Sequence, residues 1–418
     1  MARLAPFRGI RYTLPNLQEC VAPPYDVISP LEREQLQRFP YNITHLTLPD
    51  RYEHAAEQWN RWQQQGILQP DPQPTFYLLE QTFSLPHTGE RRRRLALVCL
   101  MALEEYEAGV VLPHEHTQPR VKEDRLHLLR ATEANLEPVY GLIEGGLLPL
   151  MEEVASLSPL VAEVEYHDGT HRLYRVESGQ MVSQLVERAA HARVWIADGH
   201  HRYETCLRYR QEQRRAEEHS SGLRPYDWLM IALTALEDPG VVILPTHRVL
   251  LQAPAHVPSE LPERLGRWFE VCPVALERVM QELGKGAPRR GFAWVTRTGQ
   301  AYVAWLRAGI SPQELVPEGR SVAYRQLDVT LLQSLVLEPL FGVTSQHLER
   351  AEGIRYTRDE QQAVEWVLRG EGAVAFLLNP PAVQEVREVA LAGEKMPPKS
   401  TYFYPKLLSG LVMRSLTL

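Results

Sequence analysis

Five consecutive residues, Asp198-Gly199-His200-His201-Arg202, follow the apolar run Arg193-Val194-Trp195-Ile196-Ala197 and open a helix-like stretch that reaches about Arg215. Where a strand runs into a helix, the first helical N–H groups lack partners inside the helix and the dipole presents its positive end. Such a junction is a seat for an anion. Gly199 lets the backbone come close to a ligand, while two imidazoles and a guanidinium add donors aimed at the same place. Phosphate is the expected guest, held by Gly199, His200, His201 and Arg202. For any one of these residues the plainer alternative is a helix capped by Asp198 with histidines on its surface. Adjacent histidines seldom face one metal together, which makes the pair a poor zinc site.

Two more segments carry the same kind of chemistry. In Leu112-Pro113-His114-Glu115-His116-Thr117 a carboxylate stands on a loop beside histidines, where it can take a proton from an alcohol. A surface loop leading into a helix is the alternative, and the order His-Glu-His is not that of a metalloprotease helix. The third segment runs from Lys395 to Lys406 as Lys-Met-Pro-Pro-Lys-Ser-Thr-Tyr-Phe-Tyr-Pro-Lys. Its prolines stiffen an extended loop, and its lysines and hydroxyls suit a phosphorylated or carboxylate-bearing ligand. Lysine itself is informative. Of 45 basic residues only Lys122, Lys285, Lys395, Lys399 and Lys406 are lysine, and three of those five fall in this one segment. Arginine serves the solvated faces almost equally well, so the retained lysines suggest a compact point charge in a confined site. Tyr25-Asp26 in the segment Val21–Ser29, and Thr246-His247-Arg248 after Pro245, are lesser candidates that read equally as turns.

The elements that must position these residues alternate between strand and helix signals, which gives a mixed α/β fold class. Residues 75–85 and 94–103 form an expected hairpin about Gly89, with Arg91-Arg92-Arg93-Arg94 as its solvated end. A second hairpin spans 161–176 about a turn at Asp168-Gly169. Helices are expected over 121–134, 180–190, 202–215, 327–341, 358–369 and 381–393. Strands are expected at 193–197, 227–236, 241–251 and 373–378, with a hairpin of 292–295 against 302–306. A chain of 418 residues exceeds one ordinary core, and a soft boundary near 252 divides it into two domains.

Composition narrows the function. A net charge of −7 argues against a protein that wraps DNA or RNA. No apolar run approaches the roughly 20 residues needed to cross a bilayer and no signal-peptide pattern opens the chain, so a cytoplasmic protein without a membrane partner is expected. Cys20, Cys99, Cys206 and Cys272 stand far apart, as buried thiols rather than a disulfide or zinc framework. The oligomeric state is open, and a homodimer is compatible with it.

Pro113-His114-Glu115, Asp198-Gly199-His200-His201-Arg202 and Pro398-Lys399-Ser400-Thr401 stand in the order found in free serine kinases built on the ParB/sulfiredoxin fold. Over almost its whole length the chain also resembles a large, long uncharacterised bacterial family with segments like Ala22–Ser29, Ala197–Thr205 and Met396–Lys406. The resemblance implies a ParB/sulfiredoxin-like nucleotide-binding domain with insertions and an N-terminal extension over residues 1–252. It implies a C-terminal α/β domain over 253–418 that contributes the 395–406 loop. It implies a small-molecule kinase that uses ATP or ADP and Mg²⁺ to phosphorylate free L-serine or a similar hydroxy amino acid. Glu115 is then the base, acting with Asp198 and His200. Asp198, Gly199, His200, His201 and Arg202 hold the nucleotide phosphates and metal, Asp198 being the metal ligand. His114, Lys399, Ser400 and Thr401 bind the acceptor. The chain departs from the small kinases in the 82 residues between Glu115 and Asp198, and in Tyr402-Phe403 where those kinases have a basic pair. Sulfiredoxin has a cysteine where this chain has histidine, so sulfinic acid repair is not expected. A nucleotide-sensing switch and, more remotely, a nuclease or phosphodiesterase are the alternatives.

Overall fold

The computed structural model describes residues 2–86, 88–217, 222–254, 256–286 and 288–417. The chain divides into two compact units. The first comprises Met1–Pro113, Thr117–Val242 and Pro405–Leu418; the second comprises His114–His116 and Ile243–Tyr404. The sequence places a break near 252 and carries the C-terminal domain to 418, whereas residues 405–418 belong with the first unit.

Among the described residues of the first unit, nine strands form one mixed sheet. They are β1 (Leu4–Ala5), β2 (Tyr77–Ser84), β3 (Arg91–Ala102), β4 (Val111–Leu112), β5 (Val139–Ile143), β6 (Leu160–Tyr166), β7 (Gly169–Arg175), β8 (Val194–Asp198) and β9 (Trp228–Ala235). Their order is β4-β8-β5-β9-β3-β2-β7-β6, with β1 on β3. β3 is buried without a break from Arg94 to Ala102, which explains its unalternating apolar sequence: both of its faces are covered. Leu95, Leu97, Cys99 and Met101 share a core with Leu147, Met151, Val154, Leu185 and Ala189. Each fully buried aliphatic side chain there contributes about 1.5–3 kcal/mol. The covering helices are α1 (Leu148–Leu157) and α2 (Gly179–Ala189). A second core gathers Trp59, Trp62, Leu68, Leu128 and Met413.

The hairpin of β6 and β7 forms, but its turn is His167-Asp168, one residue earlier than the dipeptide suggests. Gly169 opens β7 at φ +149°, and a Cβ on it would lie 2.1 Å from the Thr82 carbonyl oxygen. That glycine is required by the neighbouring strand rather than by the turn. The arginine run is only partly solvated. Arg91 and Arg93 are exposed, but Arg94 is buried; His87, in the same turn, lies outside the described residues. Cys20 and Cys99 are buried and Cys206 and Cys272 partly so, all four as free thiols.

The second unit has its own six-stranded sheet, made among the described residues by β10 (His247–Leu250), β11 (Phe269–Val274), β12 (Gly291–Thr296), β13 (Ala301–Leu306), β14 (Ile354–Thr357) and β15 (Val374–Leu377). Its order is β11-β13-β12-β15-β10-β14. The strand expected over 241–251 is broken near Pro245, which has no N–H to give to a ladder, and β10 starts at His247. The helix expected over 327–341 forms with a π turn at Gln333–Leu337 inside it. No helix among the described residues is long and apolar enough to cross a membrane.

Candidate functional site

In the first unit, Asp198 is the last residue of β8, and α3 (His200–Ala216) begins two residues later. A register shift between Ile196 and Asp198 sets Asp198 opposite Tyr140. Irregularities of this kind re-aim a side chain at a strand end. Gly199 takes φ +85° as the residue before the helix, and no side chain caps the first turn. By contrast, Ser178 caps α2 by accepting the Met181 N–H. The cap position of α3 is thus a glycine with no side-chain oxygen to occupy the helix start, a local arrangement that suits an anion seat. His200 is buried. The Gln118 N–H donates to His201 Nε2 at 2.9 Å, which leaves the proton of a neutral His201 on Nδ1.

Gly199 also sets a prediction. A Cβ there would lie 2.9 Å from Arg202 Nε, on a backbone that side-chain-bearing residues rarely adopt. Gly199→Ala should cost about 1–2 kcal/mol, read as a lower urea midpoint. An unchanged midpoint would contradict the strained geometry.

Asp198 is ion-paired twice. Lys406 Nζ donates to Oδ1 at 2.6 Å and Arg202 Nη2 to Oδ2 at 3.1 Å. The Lys406 and Asp198 side chains are 11% and 17% exposed. Arg202 Nη1 donates to the Pro138 carbonyl at 2.7 Å, so this guanidinium orients Asp198 rather than facing outward. Burial works against the Arg202 cation, but Glu137, Asp198, Asp26 and Tyr25 hold its pKa above the ordinary value. Tyr25-Asp26 thus acts electrostatically on the corner. The resemblance implies Asp198 as a Mg²⁺ ligand; in this arrangement each of its carboxylate oxygens accepts from a cationic side chain. Among the described residues no group of three or more His, Cys, Asp or Glu side chains is arranged to hold a metal.

Lys406 is held from behind. Arg94 lies 4.8 Å over the Tyr140 ring, donates to Gln81 Oε1, and donates from Nη2 to the Pro405 carbonyl at 2.6 Å. Gln81 Nε2 donates to the Lys406 carbonyl at 3.1 Å. A buried arginine of β3 and a glutamine of β2 thereby fix the backbone that carries the ammonium. Beside them β4 runs parallel to β8, with Leu112 opposite Trp195, so both strands end on the same side. Thr117 Oγ1 and Lys122 Nζ both donate to Glu204 in α3, at 2.5 and 2.8 Å.

In the second unit the other two sequence segments meet. His114 is 1% exposed, hydrogen-bonds through Nε2 to Thr401 Oγ1 at 2.9 Å, and accepts the Met396 N–H on its carbonyl at 2.8 Å. Its ring meets Phe403 edge-on at 5.9 Å. Glu115, the next residue, is half-buried, and His116 is exposed. Ser400 is buried and donates to the Pro397 carbonyl, so its hydroxyl braces the loop. Lys399 is exposed and sits at φ +55°, a left-handed conformation uncommon for lysine.

Asp328, in the same unit, accepts the Gly291 N–H at 3.0 Å, and burial pushes its carboxyl up to about 7. A raised carboxyl pKa favours the protonated folded state. Its stabilising effect is complete below the ordinary value of 3.8 and is lost as pH rises through about 7. Asp328→Asn should therefore gain about 1.4 kcal/mol on wild type between pH 6 and pH 8. Thermal unfolding at the two pH values checks this, and an unchanged difference would contradict it.

The residues missed by sequence reasoning are informative. Lys406 belongs to the flagged lysine segment, yet the resemblance drew attention to Lys399 instead. Arg94 was hidden inside a charge run. Glu204 lies in the Arg-Tyr-Glu-Thr continuation of the central motif and had no signal of its own.

Residues 4–330 match the model of a family described as a protein of unknown function (DUF1015). The chain belongs to that family. No curated protein matches it. Among solved structures, a free serine kinase in complex with AMP is similar at 14% identity, covering 71% of this chain and 84% of that one, with a TM-score of 0.35. A conserved hypothetical protein from Pyrococcus furiosus is similar at 15% identity over 74% of this chain and 93% of that one, with a TM-score of 0.35. SbnI with a C-terminal truncation, from Staphylococcus aureus, is similar at 10% identity over 75% and 85%, again with a TM-score of 0.35.

Proposed function

We propose that this member of the family is a small-molecule kinase that transfers a phosphoryl group from ATP or ADP to the hydroxyl of free L-serine or a close relative. The observation that carries the reading is the corner at Asp198-Gly199. A helix starts directly after a left-handed glycine, and a lysine ammonium is held at that corner by the buried Arg94 and Gln81. Backbone N–H groups and a compact, largely desolvated cation suit phosphate oxygens. The order of the three motifs supports the same reading, which takes the first unit as a nucleotide-binding fold of the ParB/sulfiredoxin kind.

Phosphoryl transfer needs positioning and charge stabilisation more than covalent help from the protein. The donor's terminal phosphate is assigned to Gly199, His200, His201 and Lys406, with Arg202 and Asp198 holding Lys406 in place. The acceptor is assigned to His114, Lys399, Thr401 and the loop braced by Ser400. As the acceptor oxygen bonds to phosphorus, the bond from phosphorus to the departing nucleotide oxygen breaks. Glu115 accepts the hydroxyl proton, and ADP or AMP leaves. The test is a discontinuous assay with Mg²⁺-ATP or ADP and L-serine. Mass spectrometry should find phosphoserine in proportion to enzyme, and its absence with both donors would remove the serine assignment.

A further inference from the structure

The Thr246-His247-Arg248 segment has no role in the reading so far, yet Arg248 is an unusual residue. It lies on β10 and is 1% exposed. Nη1 donates to the Thr246 carbonyl at 2.7 Å, and Nη2 reaches the Pro398 and Lys399 carbonyls at 3.3 Å each. Nε is buried without a hydrogen-bond partner. The Tyr356 ring lies 5.7 Å from the guanidinium carbon. Burial lowers the Arg248 pKa to about 10, and only Tyr356 opposes the shift, so the group is charged at neutral pH with no carboxylate offsetting it. Burying a cation without an anion is expensive, and such groups are normally paired.

Arg248 lines a recess with Thr246, Asp328, Asn379, Glu385 and Ser400. The recess, with its open mouth included, holds about 330 Å³ of empty space. The two acids on its wall are otherwise engaged. Glu385 pairs with Arg290 and accepts the Ala382 N–H, and Asp328 accepts the Gly291 N–H.

We infer that Arg248 is a carboxylate receptor beside the Pro398–Ser400 loop: its partnerless Nε–H donates to one oxygen of the carboxylate of a small organic acid, and Nη2 gives up one of its two long carbonyl contacts to donate to the other oxygen. An arginine offers its Nε and Nη2 edge as two parallel donors matched to the two oxygens of a carboxylate. The inference rests on the kinase reading in one respect: it identifies the acceptor as a hydroxy acid bound through its carboxylate, with its hydroxyl left for transfer.

The experiment titrates the full chain calorimetrically, without nucleotide, against L-serine, L-homoserine, glycolate and L-serinamide, which keeps the hydroxyl and amine of serine but lacks the carboxylate. At least one carboxylate should bind. If serine does, serinamide should bind at least about 30-fold more weakly, since a site built for one polar group rejects the analogue that lacks it. Arg248→Gln should lose the carboxylate by a similar factor and Arg248→Lys should recover part of it. The wild-type comparison decides the matter even if Arg248→Gln does not fold. Binding of serinamide as tight as that of serine, or no binding of any of the three carboxylates, would overturn the inference. Carboxylate binding without phosphoryl transfer would count against the kinase reading while supporting the receptor. Equal transfer to serine and serinamide would do the opposite.

Discussion

Glu115→Gln should lower phosphoryl transfer by about 10²- to 10⁴-fold while leaving nucleotide affinity within about twofold. The amide has nearly the shape of the carboxylate but cannot take the acceptor's proton. His114 keeps its bond to Thr401 and its carbonyl keeps the Met396 N–H, contacts that the substitution does not touch. Rates from the phosphoserine assay and nucleotide titrations of the same preparation check both halves. Full activity in the variant would remove Glu115 as base even if the kinase stood. An equal fall in nucleotide affinity would mean that the residue acts on binding instead.

Lys406→Gln should weaken ATP and ADP binding by about 100-fold, the loss of one well-placed charge-assisted contact in a largely desolvated site. It should also lower stability by about 1–3 kcal/mol, because Asp198 loses its closer cation. Lys406→Arg should fall between, since a planar guanidinium does not replace a compact ammonium at the same point. Calorimetric titration and thermal unfolding read the two effects separately. An unchanged nucleotide affinity with a lowered melting temperature would reduce Lys406 to a structural partner of Asp198.

What the sequence made legible follows from the range of the forces involved. Local signals located most elements well. The apolar run before Asp198 became β8, and the hairpin of 292–295 against 302–306 formed as β12 and β13. Pro245 broke a strand that apolar composition alone had continued. At the candidate site the motif residues could be named from sequence, because glycine, histidine and lysine each stand out where arginine serves the ordinary surface. Their partners could not. Whether Asp198 meets a lysine or a metal depends on a bulge in β8 and on Arg94 and Gln81, which are distant in sequence from Lys406. Composition likewise read the arginine run as one solvated patch, whereas strand alternation and the covering of β3 bury its last member. Arg248 gave no local sign of burial, since only the tertiary fold closes a recess around it.

The most direct test of the central claim is phosphorus NMR of the full chain with Mg²⁺ and ATP or ADP, in the presence of L-serine and a panel of other small hydroxy acids. The account predicts a new phosphomonoester resonance that grows as the donor's terminal phosphate signal falls, appears only with a hydroxy acid present, and is lost in Glu115→Gln. Tight nucleotide binding with no change in the donor spectrum, or release of inorganic phosphate alone, would contradict it.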